Sequence, residues 1–176
     1  MEVKIRLEEG GRMPKRMTEN SNGYDVYTPK GIYVEEGRQI IPLAFSIELP
    51  KGFEAKIEAR SGFSAKGMEG HRVKMVDDVE VNQRTGEVIN RTQSPFVEID
   101  KTTRFDCDVI PGKVDSDYRG IVGVIIKNND KKFYIPAGTR IAQLTIYKAE
   151  EADFIEAKEL SVTTRDDGGF GHSGTK

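Results

Sequence analysis

The chain has almost no cysteine. Cys107 stands alone among 176 residues, so no internal disulfide can form and a reducing compartment suits the chain. Histidine is nearly as scarce. Only His71 and His172 are there to join Cys107 on a metal, and a buried structural thiol is the better expectation for Cys107 than a zinc ligand. No apolar run approaches the length of a transmembrane helix, and the opening MEVKIRLEEG does not read as a signal peptide. An excess of one charge sign is missing too. Charged residues make up 32% of the chain, yet the net charge is only −2, which argues against a nonspecific nucleic-acid binder. A cytoplasmic protein is expected, with no membrane contact and no direct nucleic-acid contact.

Long helical periodicity is also missing. Short β-type runs separated by turn signals take its place. Val3 to Leu7 alternates apolar and charged, as a half-buried strand does. Tyr24 to Tyr27, Ile32 to Val34, Gln39 to Ile47 and Phe53 to Ala59 follow. Arg104 to Val109, Ile121 to Lys127, Phe133 to Ile135 and Ile141 to Tyr147 complete the set. Pro50-Lys51-Gly52 and Pro136-Ala137-Gly138 mark turns between them. The pattern predicts an all-β barrel or jelly roll with one short helix at Ser64 to Met68. The run Ile121 to Ile126 is apolar at every position but Gly123. A subunit interface and a covered inner sheet both explain it.

Two segments stand apart. Met68 to Asp108 is long, charged and weakly patterned. Inside it, Val79 to Asn82 and Glu87 to Asn90 flank Gln83-Arg84-Thr85-Gly86 and read as a β-hairpin. Phe96 to Ile99, after Pro95, is expected as a further strand. The other segment is the tail from Arg165 to Lys176, with four glycines and Phe170 as its one aromatic. It lacks the material for a core and is expected to be mobile. It reads either as a disordered end or as a nucleotide lid. For the lid, glycine-freed N–H groups would hold phosphate, Arg165 and Ser173 would support them, and Phe170 would stack on a base.

Four more motifs bear chemistry-capable residues. Gly23-Tyr24-Asp25-Val26-Tyr27 contributes a carboxylate on a strand. Ala59-Arg60-Ser61-Gly62-Phe63 leads from a strand into the short helix, which suits either an anion or an ordinary capped turn. Ile110 to Gly120 carries Asp115 and Asp117. On a strand the two carboxylates would share a face, to hold a divalent ion or activate water; in a turn they would simply be solvated. Arg140-Ile141-Ala142-Gln143-Leu144 opens an apolar strand.

The order of these segments is more specific than any one of them. Gly23 to Tyr27, Arg60 to Gly62, Asp115 to Gly120, Arg140 to Leu144 and Gly168 to Gly174 resemble, in order, the five motifs of the dUTP pyrophosphatase (dUTPase) family. The resemblance implies hydrolysis of dUTP to dUMP and pyrophosphate, which limits uracil in DNA and supplies dUMP for dTMP synthesis. It implies a jelly-roll-like β domain, a homotrimer with active sites shared between subunits, and a C-terminal arm that closes over them. Residues 1–164 would form the domain and 165–176 the arm.

The resemblance also implies roles. Asp115 would orient and deprotonate the attacking water. Tyr118 would pack on the deoxyribose, and Gly112 and Val114 belong to the hairpin that reads uracil through backbone groups. Arg60, Ser61, Gly62 and Gln143 would serve the phosphate side and the subunit contact. Arg165, Phe170, Gly171 and Ser173 would close over the nucleotide, Phe170 on the base and Arg165 and Ser173 on the phosphates. Mg²⁺ would be chelated chiefly by the triphosphate, with Asp25 helping through water.

The sequence departs from the family pattern at several points. Asn22 stands where Ala is usual, Ala59 where Pro is usual, Asp166 where Gly is common and Val109 where an Asn often precedes the uracil hairpin. Residues 68–108 add roughly three dozen positions between the second and third motifs, and loops of that length are commonly functional or disordered. Phage and viral members of the family sometimes carry such additions, which would make the location a host's cytoplasm. A decorative surface hairpin and a module for a protein partner both fit. A dCTP deaminase of the same fold is a rival, but it needs a Glu on the strand after the third motif, and Ile121 to Lys127 holds no carboxylate. A nucleotide-binding regulatory protein acting through the added segment is a second alternative.

Overall fold

The computed structural model describes residues 1–167, apart from the side chains of Asp100 and Lys101. The short apolar runs form strands because β-branched and aromatic residues alternate with polar ones in them. Among the described residues there are β1 (Lys4–Leu7), β2 (Tyr24–Tyr27), β3 (Ile32–Val34), β4 (Gly37–Pro42), β5 (Phe45–Glu48) and β6 (Phe53–Glu58). The helix α1 (Ser61–Lys66) follows, then β7 (Met68–Val81), β8 (Val88–Phe105), β9 (Cys107–Ile110) and β10 (Gly112–Val114). The last are β11 (Gly123–Asn128), β12 (Phe133–Ile135) and β13 (Arg140–Lys148).

All pairings between these strands are antiparallel. They form four small sheets with the orders β1-β5, β10-β6-β13-β2, β4-β11-β9 and β3-β12-β7-β8. Inward positions such as Val26, Ile41, Phe45, Ile57, Val124, Phe133 and Ile141 meet in one apolar core. Phe105 stacks on Phe133 there, with ring centroids 4.1 Å apart. Cys107 is buried in the same core. Burial among apolar groups pushes its thiol up to about 12. The expected all-β, jelly-roll-like architecture is the one observed.

Several element boundaries differ from expectation. The run Gln39 to Ile47 is two strands, broken at Leu43-Ala44. There the chain leaves one sheet for another, and Ala44 takes a φ of 54°. Val122 fixes the step: Leu43 N–H donates to its carbonyl, and its own N–H donates to Phe45. The run Arg104 to Val109 is likewise split at Asp106, whose carbonyl accepts from Asn129 N–H. The helix begins three residues earlier than expected, at Ser61, and Met68 opens β7 instead of ending the helix. Met68 is held there because its side chain is buried beside the core end of β8.

The segment that looked weakly patterned is one hairpin of two long strands. β7 and β8 pair from Met68 with Phe105 out to Val81 with Val88. Phe96 to Ile99 is not a separate strand but lies within β8, Phe96 being opposite Lys74. At the tip, Asn82 N–H donates to Glu87 O at 2.8 Å, as the expected turn requires. The pattern was obscured because most of the hairpin stands clear of the core. Met75, Val79, Val81 and Val88 are exposed along it.

The strand after the third motif also resolves into two faces. Val124 and Ile126 of β11 point into the core, and Val122, just before the strand, is buried with them. On the other face Ile125 lies between Ile40 of β4 and Ile110 of β9. Ile40 is 68% exposed, so this apolar row faces outward in the single chain.

Candidate functional site

Asp25 sits in β2 opposite Gln143 of β13, which in turn pairs with Glu58 of β6. Its carboxylate is 1% exposed and is held from three directions. Arg60 Nε donates to Oδ1 at 3.2 Å, Gln143 Nε2 to the same oxygen at 3.2 Å, and Arg140 donates to Oδ2 at 3.2 Å. A buried carboxylate is costly unless paired and hydrogen-bonded, and these contacts supply both. The first, second and fourth motifs therefore converge on one atom group. Gly23 makes the approach possible: a Cβ there would lie 3.0 Å from the Gln143 amide.

Position in its motif alone assigns Arg140 no role. Residues three apart on a regular strand point to opposite faces. An irregularity between Arg140 and Ala142 resets the register, so Arg140 and Gln143 both reach Asp25. Period-two reading of the sequence does not reveal such a bulge.

Arg60 is the residue capping α1, and Ser61 and Gly62 are exposed in its first turn. Beside them opens a cleft of about 330 Å³, lined by cationic Arg60, Lys66, Arg104 and Arg140 along with Glu69 and Thr139. The cleft suits an anionic, polyphosphate-bearing ligand. Sequence reading passed over Lys66 and Arg104, because neither is marked by a neighbouring glycine or carboxylate pattern.

The third motif lies elsewhere on the same chain. β10 ends at Val114, whose side chain is buried, leaving only its backbone to meet a ligand. Gly112 pairs with Ile57 at the other end of β10. Asp115 and Asp117 are not on a strand. They stand exposed in a turn closed by Tyr118 N–H donating to Asp115 O at 3.1 Å, so the shared-face arrangement does not form. The Asp115 carboxylate has no hydrogen-bond or ion-pair partner among the described residues. Tyr118 is 46% exposed and folds over Gly120, its hydroxyl donating to Ile121 O. Nearby, Lys113 bridges to Glu54 at 2.7 Å. That bond holds the Glu54 carboxyl below the usual range and raises the Lys113 ammonium.

The two groups do not meet within one chain. Val114 pairs with Ala55, so Asp115 leaves the sheet at one end of β6 while Arg60 follows the other. Ala55 to Arg60 is five residues, roughly 16 Å of extended chain at about 3.3 Å per residue.

Of the tail, Arg165 is described and exposed. Asp166 adopts a φ of 43°, in the left-handed region that favours glycine. Phe170, Gly171 and Ser173 lie outside the described residues.

Comparison with known proteins gives a consistent result. The dUTPase family model matches residues 9–106 and 103–174. A deoxyuridine 5'-triphosphate nucleotidohydrolase of Chlamydia trachomatis is 31% identical over 179 residues, covering 99% of each chain. One from Hydrogenobaculum is 32% identical over 174 residues, covering 97% of this chain and 96% of the relative. In fold, the chain resembles the dUTPase of Staphylococcus bacteriophage 80alpha with dUPNHPP. The TM-score is 0.73 at 21% identity, over 98% of both chains. The dUTPase of phage phi11 of S. aureus, described for its species-specific insert, gives a TM-score of 0.66 at 18% identity. That match covers 93% of this chain and all of the other.

Proposed function

The chain belongs to the dUTPase family, and from that premise we propose how its residues hydrolyse dUTP to dUMP and pyrophosphate. One observation carries the reading. Asp25 gathers Arg60, Arg140 and Gln143 beside a cationic cleft, while Asp115 stands exposed with no hydrogen bond to its carboxylate among the described residues.

The division of labour follows from the charges. Arg60 and Gln143, held in place by Asp25, receive the phosphate chain, and Ser61 and Gly62 offer a hydroxyl and backbone beside them. The backbone of Gly112 and Val114 reads the uracil edge, and Tyr118 packs on the deoxyribose. Asp115 accepts a proton from water as that water attacks the α-phosphorus in line. The new P–O bond forms as the bond to the bridging oxygen breaks, and pyrophosphate leaves with the bond electrons. Arg165, Phe170, Gly171 and Ser173 close the arm over the nucleotide. The fold unit is 1–164 and the arm 165–176.

Magnesium, when bound with the triphosphate, supplies neutralisation of phosphate charge. The residues present fit an ion carried by the substrate. Both Asp25 oxygens already accept hydrogen bonds from Arg60, Gln143 and Arg140. With both oxygens so engaged, Asp25 would support a substrate-borne ion only indirectly, through water. Among the described residues no cluster of three acidic, His or Cys groups competes for that ion.

A homotrimer completes the site. The outward row Ile40, Ile125 and Ile110 is an apolar surface suited to a subunit contact. Across it, Asp115 of one subunit would meet the Asp25–Arg60 group of another. The exposed apolar side chains of the long hairpin suit a protein partner, which would add a regulatory role to the enzyme. We place the reaction in the cytoplasm, or a host's cytoplasm if the gene is a phage's, where a lone reduced Cys107 is stable.

The test is a product assay. Purified protein with Mg²⁺ is given dUTP, dCTP, dTTP and UTP in turn. Formation of dUMP and pyrophosphate from dUTP alone supports the reading. Release of dUTP from dCTP would replace it with deamination.

A further inference from the structure

The root of the long hairpin reaches the phosphate-side cleft. Arg104, near the end of β8, faces Glu69 across the hairpin and is ion-paired to it. Its other terminal nitrogen donates to Gly67 O, just past α1, at 3.2 Å. The same side chain lines the cleft together with Arg60, Lys66 and Arg140. Asp25 already occupies Arg60 and Arg140. Lys66 and Arg104 add two further cations to the cleft, beyond the pair that Asp25 holds.

We propose that Arg104 is a further phosphate-binding residue, supplied by the hairpin, which contacts the distal phosphates of the bound triphosphate. This rests on the assignment of the Arg60 cleft to the phosphate side. Three features favour it. The Arg104 side chain is 44% exposed and lines the cleft, within reach of an anion there. Its fork matches phosphate oxygens in a way that a point charge does not. Its partner Glu69 is more exposed, at 58%, and an exposed pair of this kind is weak enough to yield to a polyanion. Glu69 holds Arg104 in position while the cleft is empty. Phosphate then takes over the guanidinium, and the hairpin root registers whether a triphosphate or a monophosphate is bound.

The contact is made by the distal phosphates, so it must distinguish ligands. Arg104→Gln is expected to weaken binding of a non-hydrolysable dUTP analogue by roughly tenfold, the scale of one charge-assisted hydrogen bond. Affinity for dUMP is expected to stay within about twofold, a split that a general structural defect would not give. Arg104→Lys should recover part of the loss, and Glu69→Gln should not weaken the analogue. Ser61→Ala serves as the reference for the cleft itself. If Ser61→Ala weakens the analogue and Arg104→Gln does not, the proposal is overturned and the phosphate-side assignment stands. If neither variant changes analogue binding, that assignment fails and the proposal falls with it. Equal losses for dUMP and the analogue in Arg104→Gln would also overturn it.

Discussion

Arg60 Nε lies 3.2 Å from Asp25 Oδ1, and that contact joins the second motif to the first across 35 positions of sequence. Asp25 is almost wholly buried, and Arg60 and Arg140 both depend on it. Asp25→Ala would strand two partly buried guanidinium groups. The expected cost is about 3 kcal/mol of stability, typical of breaking a buried pair by removing one partner. Urea unfolding of Asp25→Ala measures the loss. Asp25→Asn keeps the volume and is expected to raise the KM for dUTP at a smaller stability cost. A KM unchanged in Asp25→Asn would contradict the organising role given to this carboxylate.

Asp115 is the opposite case. Its side chain is exposed and has no hydrogen-bond partner among the described residues. Asp115→Asn should therefore leave stability within about 0.5 kcal/mol of the wild type. kcat should fall by roughly 10² to 10⁴, the range for a positioned general base. Steady-state kinetics and thermal unfolding on one preparation separate the two effects. A kcat within threefold of wild type would remove Asp115 from the mechanism.

The legibility of the sequence divides along similar lines. The strands at Phe53 and Phe133 were readable because alternate residues are buried, and those at Tyr24 and Ile32 because of their aromatic and β-branched content. The hairpin β7–β8 was readable only at its tip, since strands standing off the core have no buried face to pattern them. The break at Ala44 was hidden because Leu43 and Phe45 are apolar on both sides of it and both are buried. At the site, Asp25 and Gln143 were marked by motif, but Arg140 needed the bulge and Arg104 needed the hairpin's fold to come into view.

Cys107 offers a pH test. Burial raises its thiol to about 12, from an ordinary value of 9. Above pH 9 the unfolded chain ionises this group while the folded chain does not, so its effect is to lower stability as pH rises from 9 toward 12. Native protein should react slowly with iodoacetamide at pH 8, and urea-unfolded protein quickly. Rapid alkylation of the native protein would show that the thiol is accessible.

The Glu54–Lys113 pair should be felt over a wide range. The carboxyl is lowered and the ammonium raised, each chiefly by the hydrogen bond to the other. The Glu54 contribution is therefore present above the ordinary Glu value of 4.5 and lost as pH falls through its lower folded value. The Lys113 contribution is present below its ordinary 10.5 and lost as pH rises past its raised value. A double-mutant cycle with Glu54→Gln and Lys113→Met should give coupling at pH 7 that disappears at low pH. Coupling that persists at pH 2 would show that the interaction is not ionic.

One chain keeps Asp115 apart from the Asp25–Arg60 group, so each site is proposed to be built by two subunits. Asp115→Asn and Arg60→Gln are each expected to be strongly impaired alone. Co-refolded in equal amounts, they should regain about a quarter of wild-type activity, because random assembly of a cyclic trimer leaves that fraction of sites with both native residues. A mixture no more active than the better variant alone would contradict the shared site.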